Sequence, residues 1–247
     1  MNTDLPEYFQ PTTADSPLRF ACHAGVPCFT ECCRELDLAL TPYDVLRLKR
    51  RLGISSTRFL EDYVIIELIS GQVFPLCYLT MVDDDRASCV FVAKQGCTVY
   101  TDRPSSCRTY PVGRGASWNR DDNTVRESLV LLREPHCRGF AESSPLVTVQ
   151  QYLATQELEP YNRYNDALLP LLQHPLVQSG AFKPSRSQLD QYMLALYDLD
   201  RFRRDMNEGR IVLNRPLSPA QLKGLTGDDE ELLLLAICWL REVLFGE

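Results

Sequence analysis

The arrangement of apolar and polar residues first predicts two helices shortly after the opening cysteines. In LTPYDVLRLKRRLG, Thr41 is a good N-cap, Pro42 suits the first helical position and Gly53 can end the helix. The following stretch, SSTRFLEDYVIIEL, predicts a second helix capped by Ser55 or Ser56. The apolar stripe expected to bury the first helix consists of Val45, Leu46, Leu48 and Leu52.

Strand patterns replace these helical patterns from Val73 onward. VFPLCYLTMV is a β-like run, and DDDRAS predicts a turn after it. CVFVAKQGCTVY predicts two short strands around a turn at Gly96, while PVGRGASW and TVRESLVLL predict a hairpin across NRDDN. None of these predicted strands is long. Residues 1–18, rich in Pro, Thr and Asp, are expected to be a loose lead-in.

Helical patterns return in the last part of the chain. TVQQYLATQELEPYNRYNDALLPLLQ predicts two helices with a boundary at Pro160. SRSQLDQYMLALYDLDRFRRDMNEG predicts a third helix ending at Gly209, and GDDEELLLLAICWLREVLF a fourth with Asp228 as its N-cap. We therefore predict an α+β fold. A small cysteine-rich domain of short strands and helices would occupy residues 1–145, and a helical C-terminal region would occupy residues 146–247.

Net charge and hydropathy narrow the classes of partner. The 247 residues carry a formal net charge of −7, which argues against a general nucleic-acid binder or a protein that binds acidic membranes. The longest apolar run, LLLLAICWL, has nine residues, whereas a membrane-spanning helix needs about 20. The N-terminal residues lack the basic stretch and apolar core of a secretory signal. We therefore expect a cytoplasmic protein with no nucleic-acid or membrane partner.

Ten cysteines are the main chemical feature of the sequence, and nine of them lie between Cys22 and Cys137. Disulfides are uncommon in a reducing cytosol, and a chain of this length does not need them to bury a core. Thiolates are soft ligands suited to zinc and to iron–sulfur clusters, and remote cysteines can close a site that one loop begins. The predicted metal ligands are Cys22, Cys28, Cys32, Cys33, Cys89, Cys97, Cys107 and Cys137.

The adjacent pair Cys32 and Cys33 bears on the number of metal centres. Side chains on neighbouring residues tend to diverge, so the pair could serve two centres, or one centre and another role. Eight thiols are enough for two four-coordinate sites, or for one site with several non-ligands, and the sequence leaves this partition open. His23 and His136, each beside a predicted ligand, could replace a sulfur, although a partly exposed polar residue is the simpler interpretation.

Other residues near the cysteines have predicted supporting roles. Arg103 and Arg108 flank Cys107, and they could offset the negative charge of a four-thiolate centre, with a surface salt bridge as the alternative. Cys77 lies in an apolar strand pattern and Cys238 in an apolar helix pattern. Both are therefore predicted to be core residues and not ligands.

These motifs together resemble the YkgJ-type cysteine-cluster family, the CxxCxxCC family of zinc- or iron-chelating domains. The resemblance rests on the opening cluster that ends in Cys32-Cys33, on LTPYDVLRL, on CVFVAKQGCTVYTDRPSSCRTYP and on CRGF around Cys137. It covers roughly residues 20–140. The five residues between Cys22 and the next cysteine depart from the short spacing of the family.

The resemblance implies which residues bind metal and which support them. It implies that the eight cysteines named above are the ligands, and that Arg103, Pro104 and Arg108 match the family's Arg-Pro and Cys-Arg elements. It also matches Asp44 to the family's helix aspartate. Bacterial flagellin lysine-N-methylases contain a similar cysteine cluster, for which an iron–sulfur centre is an attractive interpretation.

Three functions are compatible with the sequence. The first is a metal-binding protein that ligates zinc or an iron–sulfur cluster through thiolates from remote segments. The second is an iron–sulfur redox enzyme or a methylase-like enzyme that modifies proteins. The third is a thiol redox sensor, although no C-x-x-C motif occurs. G-x-G-x-x-G, P-loop and H-E-x-x-H motifs are absent too, so the sequence predicts a metal ion as partner and no identified substrate or protein partner.

Overall fold

The computed structural model describes residues 6–141, 143–213 and 216–247. It combines helices with short antiparallel strands, and its C-terminal region is helical, which confirms the predicted α+β fold. The strands are β1 (Phe9–Thr12), β2 (Pro17–Arg19), β3 (Ala39–Leu40), β4 (Val64–Glu67), β5 (Leu76–Leu79), β6 (Met81–Val82), β7 (Ser88–Cys89), β8 (Val92–Ala93), β9 (Gly96–Cys97), β10 (Val112–Asn119), β11 (Thr124–Leu132) and β12 (Leu146–Thr148). The helices are α1 (Pro42–Leu52), α2 (Ser56–Tyr63), α3 (Ser105–Thr109), α4 (Val149–Ala154), α5 (Glu159–Ala167), α6 (Leu169–Leu172), α7 (Pro175–Gln178), α8 (Arg186–Leu196), α9 (Leu199–Asn207), α10 (Pro219–Thr226) and α11 (Asp229–Phe245).

The chain divides into two compact units, each built from two separate segments. One unit, here called the cysteine unit, comprises the described residues up to Leu38 and Met81–Asn162. The other, here called the helical unit, comprises Ala39–Thr80 and Arg163–Glu247. Sheets β1–β11–β10, β12–β2, β6–β7 and β8–β9 belong to the cysteine unit, and sheet β3–β5–β4 belongs to the helical unit. A functional boundary near residue 145 stays a prediction.

The longest strands form a hairpin in the cysteine unit. β10 and β11 pair as predicted, but they contain eight and nine residues, so the expectation that no strand is long is wrong. In the turn, Asn123 adopts a left-handed φ of 57°, and the Asp122 carboxylate accepts from the Thr124 N–H. Asn and Asp favour such turns because their short side chains bond the local backbone. β11 places Leu129 and Leu131 in the core of this unit.

The N-terminal segment is not a loose lead-in over its described residues. β1 pairs with β11, and β2 pairs with β12, so residues 9–12 and 17–19 are held in sheets. Composition misled the prediction because Pro11 and Pro17 lie on edge strands, where proline is tolerated. Residues 1–5 of the predicted lead-in lie outside the described residues.

The first predicted helix is confirmed together with its caps. The Thr41 hydroxyl accepts from the Asp44 N–H, and the Asp44 carboxylate accepts from the Thr41 N–H at 2.9 Å, which completes a capping box. Pro42 begins α1, and Gly53 ends it with a left-handed φ of 68°. Asp44, matched to the family's helix aspartate, therefore serves the N-terminus of this helix.

The second predicted helix is only half helical. Ser55 caps α2 as predicted, but the helix ends at Tyr63, and the predicted continuation through VIIEL is wrong. Val64, Ile65 and Ile66 instead enter β4, which pairs with β5. β-Branched side chains lose rotamer freedom in helices and pack well in sheets, so a strand partner outweighs the helical pattern.

Helices in the last part of the chain are more divided than predicted. The boundary at Pro160 is confirmed because α5 begins at Glu159. The third predicted helix is two helices, α8 and α9, with a break at Asp198. There the Asp198 carboxylate accepts from the Ser56 hydroxyl at 2.7 Å, a long-range contact that no local pattern indicates. α6, α7 and α10 were not predicted as separate helices.

The last helix has the predicted cap, but Cys238 lies on its exposed face and not in the core. The Asp228 carboxylate accepts from the Glu230 and Glu231 N–H groups and starts α11. Cys238 is exposed, so its prediction as a core residue is wrong. It shares the more accessible face of α11 with Glu231 and Leu234 at spacings of three and four residues. The unbroken apolar run concealed this face. None of the described helices is both long and apolar enough to cross a membrane.

A buried ion-pair cluster connects three helices of the helical unit. Lys49 on α1 is 5% exposed, and its Nζ lies 2.8 Å from Asp200 on α9 and 3.0 Å from Asp229 on α11. Burial alone would raise the pKa of Asp229, but hydrogen bonds from Arg203 and Lys49 outweigh it and lower the pKa to about 2. The carboxylates are therefore ionised at neutral pH and compensate the buried ammonium group.

We expect Lys49→Met to lower the free energy of unfolding by about 3 kcal/mol, because it removes the buried ammonium group that pairs with both carboxylates and leaves Arg203 as their shared partner. This is the lower end for a buried pair, since the Asp200 side chain remains 28% exposed. Arg186→Met is the control, because its ion pair with Asp190 is largely exposed, and its effect should stay within about 0.5 kcal/mol. Urea unfolding measures both. Equal effects would contradict the importance of the Lys49 cluster.

Candidate metal centre

All eight predicted metal ligands lie in the cysteine unit, whereas Cys77 and Cys238 belong to the helical unit. Cys77 is fully buried in β5, which confirms its prediction as a core residue, and burial raises its pKa to about 12. The ten cysteines all lie in the described residues, and none of them forms a disulfide there. The pattern that separated eight cysteines from two in the sequence therefore coincides with a division in the fold.

Four of the predicted ligands line one cavity of the cysteine unit. Cys22 and Cys28 lie in the loop after β2, Cys32 lies in a 3₁₀ turn at Glu31–Cys33, and Cys137 follows β11. Soft metal ions favour thiolates, and an apolar lining limits competition from water and oxygen ligands. The rest of the lining is mainly apolar and consists of Phe20, Ala21, Val26, Tyr110, His136 and Gly139.

Successive tight turns let one loop present three of these thiols. The turns make the five residues between Cys22 and Cys28 compact, so both cysteines line the same cavity despite their long spacing. Thr30 has a left-handed φ of 69°, which is strained for a β-branched residue and is typical of functional loops. The turn hydrogen bonds join the N–H and C=O groups of Val26 and His23, Phe29 and Val26, Glu31 and Cys28, and Cys33 and Thr30.

Backbone contacts bring Cys137 to this loop. The Ala21 N–H donates to the Gly139 carbonyl at 3.0 Å, and the Arg138 N–H donates to the Cys28 sulfur at 3.0 Å. Cys137 also packs against the hydrophobic core of the unit. The Cys28 sulfur thus accepts a hydrogen bond from the residue that follows Cys137.

The thiols of the cavity interact electrostatically. Burial is the main cause that raises the pKa of Cys22 to about 11, and the other three thiols of the cavity raise it further. Burial also raises the pKa of Cys137, while the Tyr110 hydroxyl beside it and the Gly139 N–H oppose this shift. Cys22 and Cys137 are therefore protonated at neutral pH, and a metal ion would have to displace their protons.

Cys89 and Cys97 form a second group of thiols. Burial raises the pKa of Cys89, the N–H groups of Phe91 and Val92 oppose the shift, and the Cys97 thiol adds to it. Burial likewise raises the pKa of Cys97 against the Val99 N–H. Each sulfur thus has N–H donors two or three residues later in the chain. Hydrogen bonds of this kind stabilise thiolates in metal–sulfur sites.

The backbone gives Cys32 and Cys33 different surroundings. Arg34, which follows Cys33, forms an isolated antiparallel bridge with Ser88, which precedes Cys89. Cys32 instead lines the cavity together with Cys137. The two adjacent thiols remain hydrogen-bonded to each other, which is the first cause of the raised pKa of Cys32.

Arg103 and Arg108 are buried, with exposures of 8% and 2%, and Arg108 also lies 3.6 Å from the exposed Glu157 carboxylate, a salt bridge of the kind given as the alternative. Arg103 donates to the Tyr100 carbonyl at 2.7 Å and to the Gln156 side chain at 2.8 Å. Arg108 donates to the Gln156 carbonyl at 2.7 Å and to the Thr101 carbonyl. Both side chains therefore brace the turn before α3.

The charge of Arg103 reaches both groups of thiols. It acts to lower the pKa of Cys22 in the first group and of Cys97 in the second, against the larger effect of burial. Cys107 lies half-buried on α3 between the two arginines and does not line the cavity. The predicted role of Arg103 and Arg108 in supporting a metal centre stays a prediction.

The two histidines differ in position. His23 is exposed, and its Nδ1 accepts from the Gly25 N–H at 3.1 Å. His136 lines the cavity, and its Nε2 lies 3.8 Å from the Glu134 carboxylate. Of the two, His136 is the one placed where a ring nitrogen could replace a sulfur.

The thiols share a cavity without forming a coordination shell. Within residues 6–141, 143–213 and 216–247, no group of three or more His, Cys, Asp or Glu side chains is arranged so that it could hold a metal ion. The donor set nevertheless fits such an ion, because it combines four thiols, an apolar lining and an N–H group directed at sulfur. Closure around an ion would have to involve the turn-rich loop at 22–33.

Comparison with known proteins bears directly on this site. Residues 21–138 match the CxxCxxCC family model, which is described as "Putative zinc- or iron-chelating domain". The match confirms the resemblance noted in the sequence, contains all eight predicted ligands and supports a metal-binding role for this CxxCxxCC cysteine cluster. No curated protein and no solved structure matches the chain.

Sequence reasoning did not identify the residues other than cysteine and histidine that shape the cavity. Tyr110 and Gly139 follow Cys107 and Cys137 by three and two residues, inside blocks that carry the family resemblance. Their proximity to cysteines was a usable signal. Their contribution to the cavity depends on contacts with Phe20 and its neighbours, which only the fold reveals.

We expect Gly139→Ala to lower the free energy of unfolding by about 1–3 kcal/mol, because the new methyl group overfills the cavity wall. Its Cβ would lie 2.5 Å from Phe20 Cε2 and 2.8 Å from the Ala21 carbonyl oxygen. Gly115→Ala is the control, because its Cβ would meet the Ser128 hydroxyl at 2.6 Å, and that side chain can rotate away. Thermal unfolding should show the larger loss for Gly139→Ala, and the reverse order would refute the tight wall.

Proposed function

We propose that this CxxCxxCC domain binds metal at two thiolate centres, and that the bound metal holds remote segments of the cysteine unit together. The observation that carries the proposal is the single cavity that four thiols from separate segments line. The first proposed centre comprises Cys22, Cys28, Cys32 and Cys137. The second proposed centre comprises Cys33, Cys89, Cys97 and Cys107.

The chemistry of the first group supports a four-coordinate site. Four thiolates satisfy the tetrahedral preference of Zn²⁺ and also match the usual ligand count of an iron–sulfur cluster. The Cys28 sulfur already accepts an N–H from Arg138, in the segment that carries Cys137. Metal binding at this point would therefore link the loop after β2 to the segment after β11, and its free energy would add to that of folding.

Two observations support a second centre. The Cys97 thiol raises the pKa of Cys89, and both sulfurs have N–H donors directed at them. The bridge between Arg34 and Ser88 also pairs the residues that adjoin Cys33 and Cys89. Cys107 completes the proposed set as the remaining cysteine of the pattern.

The thiol redox sensor is the less supported function. A reactive thiol needs a lowered pKa, whereas burial or thiol contacts raise the pKa of several of these cysteines. An iron–sulfur redox or methylase-like enzyme stays a hypothesis, and it requires that the bound metal is iron.

Metal analysis of protein purified without oxygen tests the proposal and separates the two metals. A colourless protein with two zinc ions per chain would assign zinc centres. A brown protein whose visible absorption is bleached by dithionite would assign an iron–sulfur cluster. Protein that contains neither metal, and takes up neither when reconstituted, would refute metal binding.

We expect Cys28→Ser to remove the metal of the first centre and to lower the melting temperature, because a hydroxyl is a poor replacement for a thiolate ligand. Cys97→Ser should remove the metal of the second centre in the same way. Metal content and thermal unfolding measure both effects. Cys238→Ser is the matched control, since this exposed thiol lies outside the domain and should leave metal content unchanged. Loss of all metal from each single ligand variant would indicate one shared centre in place of two.

A further inference from the structure

The Tyr110 hydroxyl is a buried polar group in the wall of the cysteine cavity. Its oxygen makes no hydrogen bond of normal geometry, although it is shielded from water. Tyr110 lines the same cavity as Cys22, Cys28, Cys32 and Cys137. Buried hydroxyl groups without partners are rare in folded proteins, and each one calls for an explanation.

The Tyr110 ring is held in place by its surroundings. Its backbone carbonyl accepts from the Tyr152 hydroxyl at 2.5 Å, and its N–H donates to the Ser106 carbonyl at 3.3 Å. Phe20 packs against the ring edge-on with centroids 6.0 Å apart. The position of the hydroxyl is therefore fixed by both the backbone and the core.

Two groups lie beside this hydroxyl and could accept its proton in a hydrogen bond. They are the Cys137 sulfur and the Glu134 carboxylate, which both act on the ionisation of Tyr110. Glu134 is one-third exposed and also faces His136, so water and the imidazole compete for it. A neutral thiol is a weak acceptor, whereas a thiolate is a strong one.

We propose that Tyr110 is a positioning residue of the first metal centre, whose hydroxyl donates a hydrogen bond to the Cys137 sulfur when that sulfur is a metal-bound thiolate. The inference rests on the proposed function. Tyrosine is protonated at neutral pH, so its hydroxyl has a proton to donate. Donation to the sulfur would withdraw charge from it and fix the direction of its lone pairs.

This proposal makes opposite predictions for the metal-free and metal-bound protein. Tyr110→Phe removes an unpartnered buried hydroxyl and keeps the ring, so the metal-free protein should melt at the same or a higher temperature. The same change should weaken metal binding by about 10–100-fold, as loss of a group that supports a ligand typically does. A tyrosine that served packing alone would not produce this combination.

Titration of the reduced, metal-free full chain with Co²⁺ in the absence of oxygen tests the proposal. Co²⁺ reports thiolate ligation through its thiolate-to-metal charge-transfer band. Competition with a chelator gives its affinity. Tyr110→Phe should shift that band and weaken binding, while Tyr8→Phe, which alters an exposed tyrosine of the same unit outside the cavity lining, should leave the band in place.

Three results would overturn the role of Tyr110. They are an unchanged band and affinity in Tyr110→Phe, equal changes in Tyr110→Phe and Tyr8→Phe, and a melting temperature of metal-free Tyr110→Phe that falls as far as that of Tyr152→Phe, which loses a hydroxyl bonded to a carbonyl. In these cases Co²⁺ binding by the unaltered chain would leave the proposed function standing. Failure of the unaltered chain to bind Co²⁺ would overturn the proposed function, and this inference with it.

Discussion

Everything proposed for the cysteine cluster depends on a backbone clamp between two distant segments of the chain. The Ala21 N–H bonds the Gly139 carbonyl, and the pairing of β1 with β11 and of β2 with β12 reinforces this contact from both sides. Ordering a long loop costs conformational entropy, and here ordinary strand pairing offsets that cost before any sulfur is involved. The cavity can therefore exist as part of the fold, and an ion would meet thiols that are already gathered.

The protonation state of the thiols decides whether this cavity packs like a hydrophobic core or can bind a metal ion. Burial favours the neutral form of Cys22 and Cys137, and a neutral thiol packs like a small apolar group. Once deprotonated, the same sulfurs become charged and need compensation from an ion or from N–H donors. Arg103 and the Arg138 N–H provide part of that compensation within the protein. The site is thus compatible with a folded unit in either state.

Features fixed by neighbouring residues could be predicted from the sequence, and features fixed by distant contacts could not. The caps of α1 and α11 followed from Thr41 and Asp228 because capping is local chemistry. The strand after α2 depends on β5, and the break at Asp198 depends on Ser56, so periodicity alone gave continuous helices there. The exposure of Cys238 could not be predicted, because a helix that is apolar at every position contains no polar residues to indicate which face is exposed.

The same distinction applies to the candidate site. The sequence identified eight cysteines, and all of them lie in one unit. It could not divide them, since the surroundings of Cys33 depend on the bridge between Arg34 and Ser88. Nor could it identify Tyr110 as part of the cavity, because a hydroxyl beside a sulfur is a property of three-dimensional packing.

The interleaved chain path has a consequence for how the thiols are connected. Residues 39–80 interrupt the cysteine unit, yet they leave and re-enter through β3 and β5, which are paired strands, with Leu40 opposite Cys77. The two ends of segment 39–80 therefore lie close together. The segment adds little distance between the cysteines that precede it and those that follow it. A chain that ended near residue 145 would keep residues 39–80 but lose α9 and α11, against which α1 and α2 pack. Leu48 on α1 and Phe59 on α2, both fully buried, would then lose part of their packing. Isolating the ligand-bearing half by truncation alone would therefore expose an apolar surface, whereas removing residues 39–80 together with those after Asn162 would remove the whole helical unit.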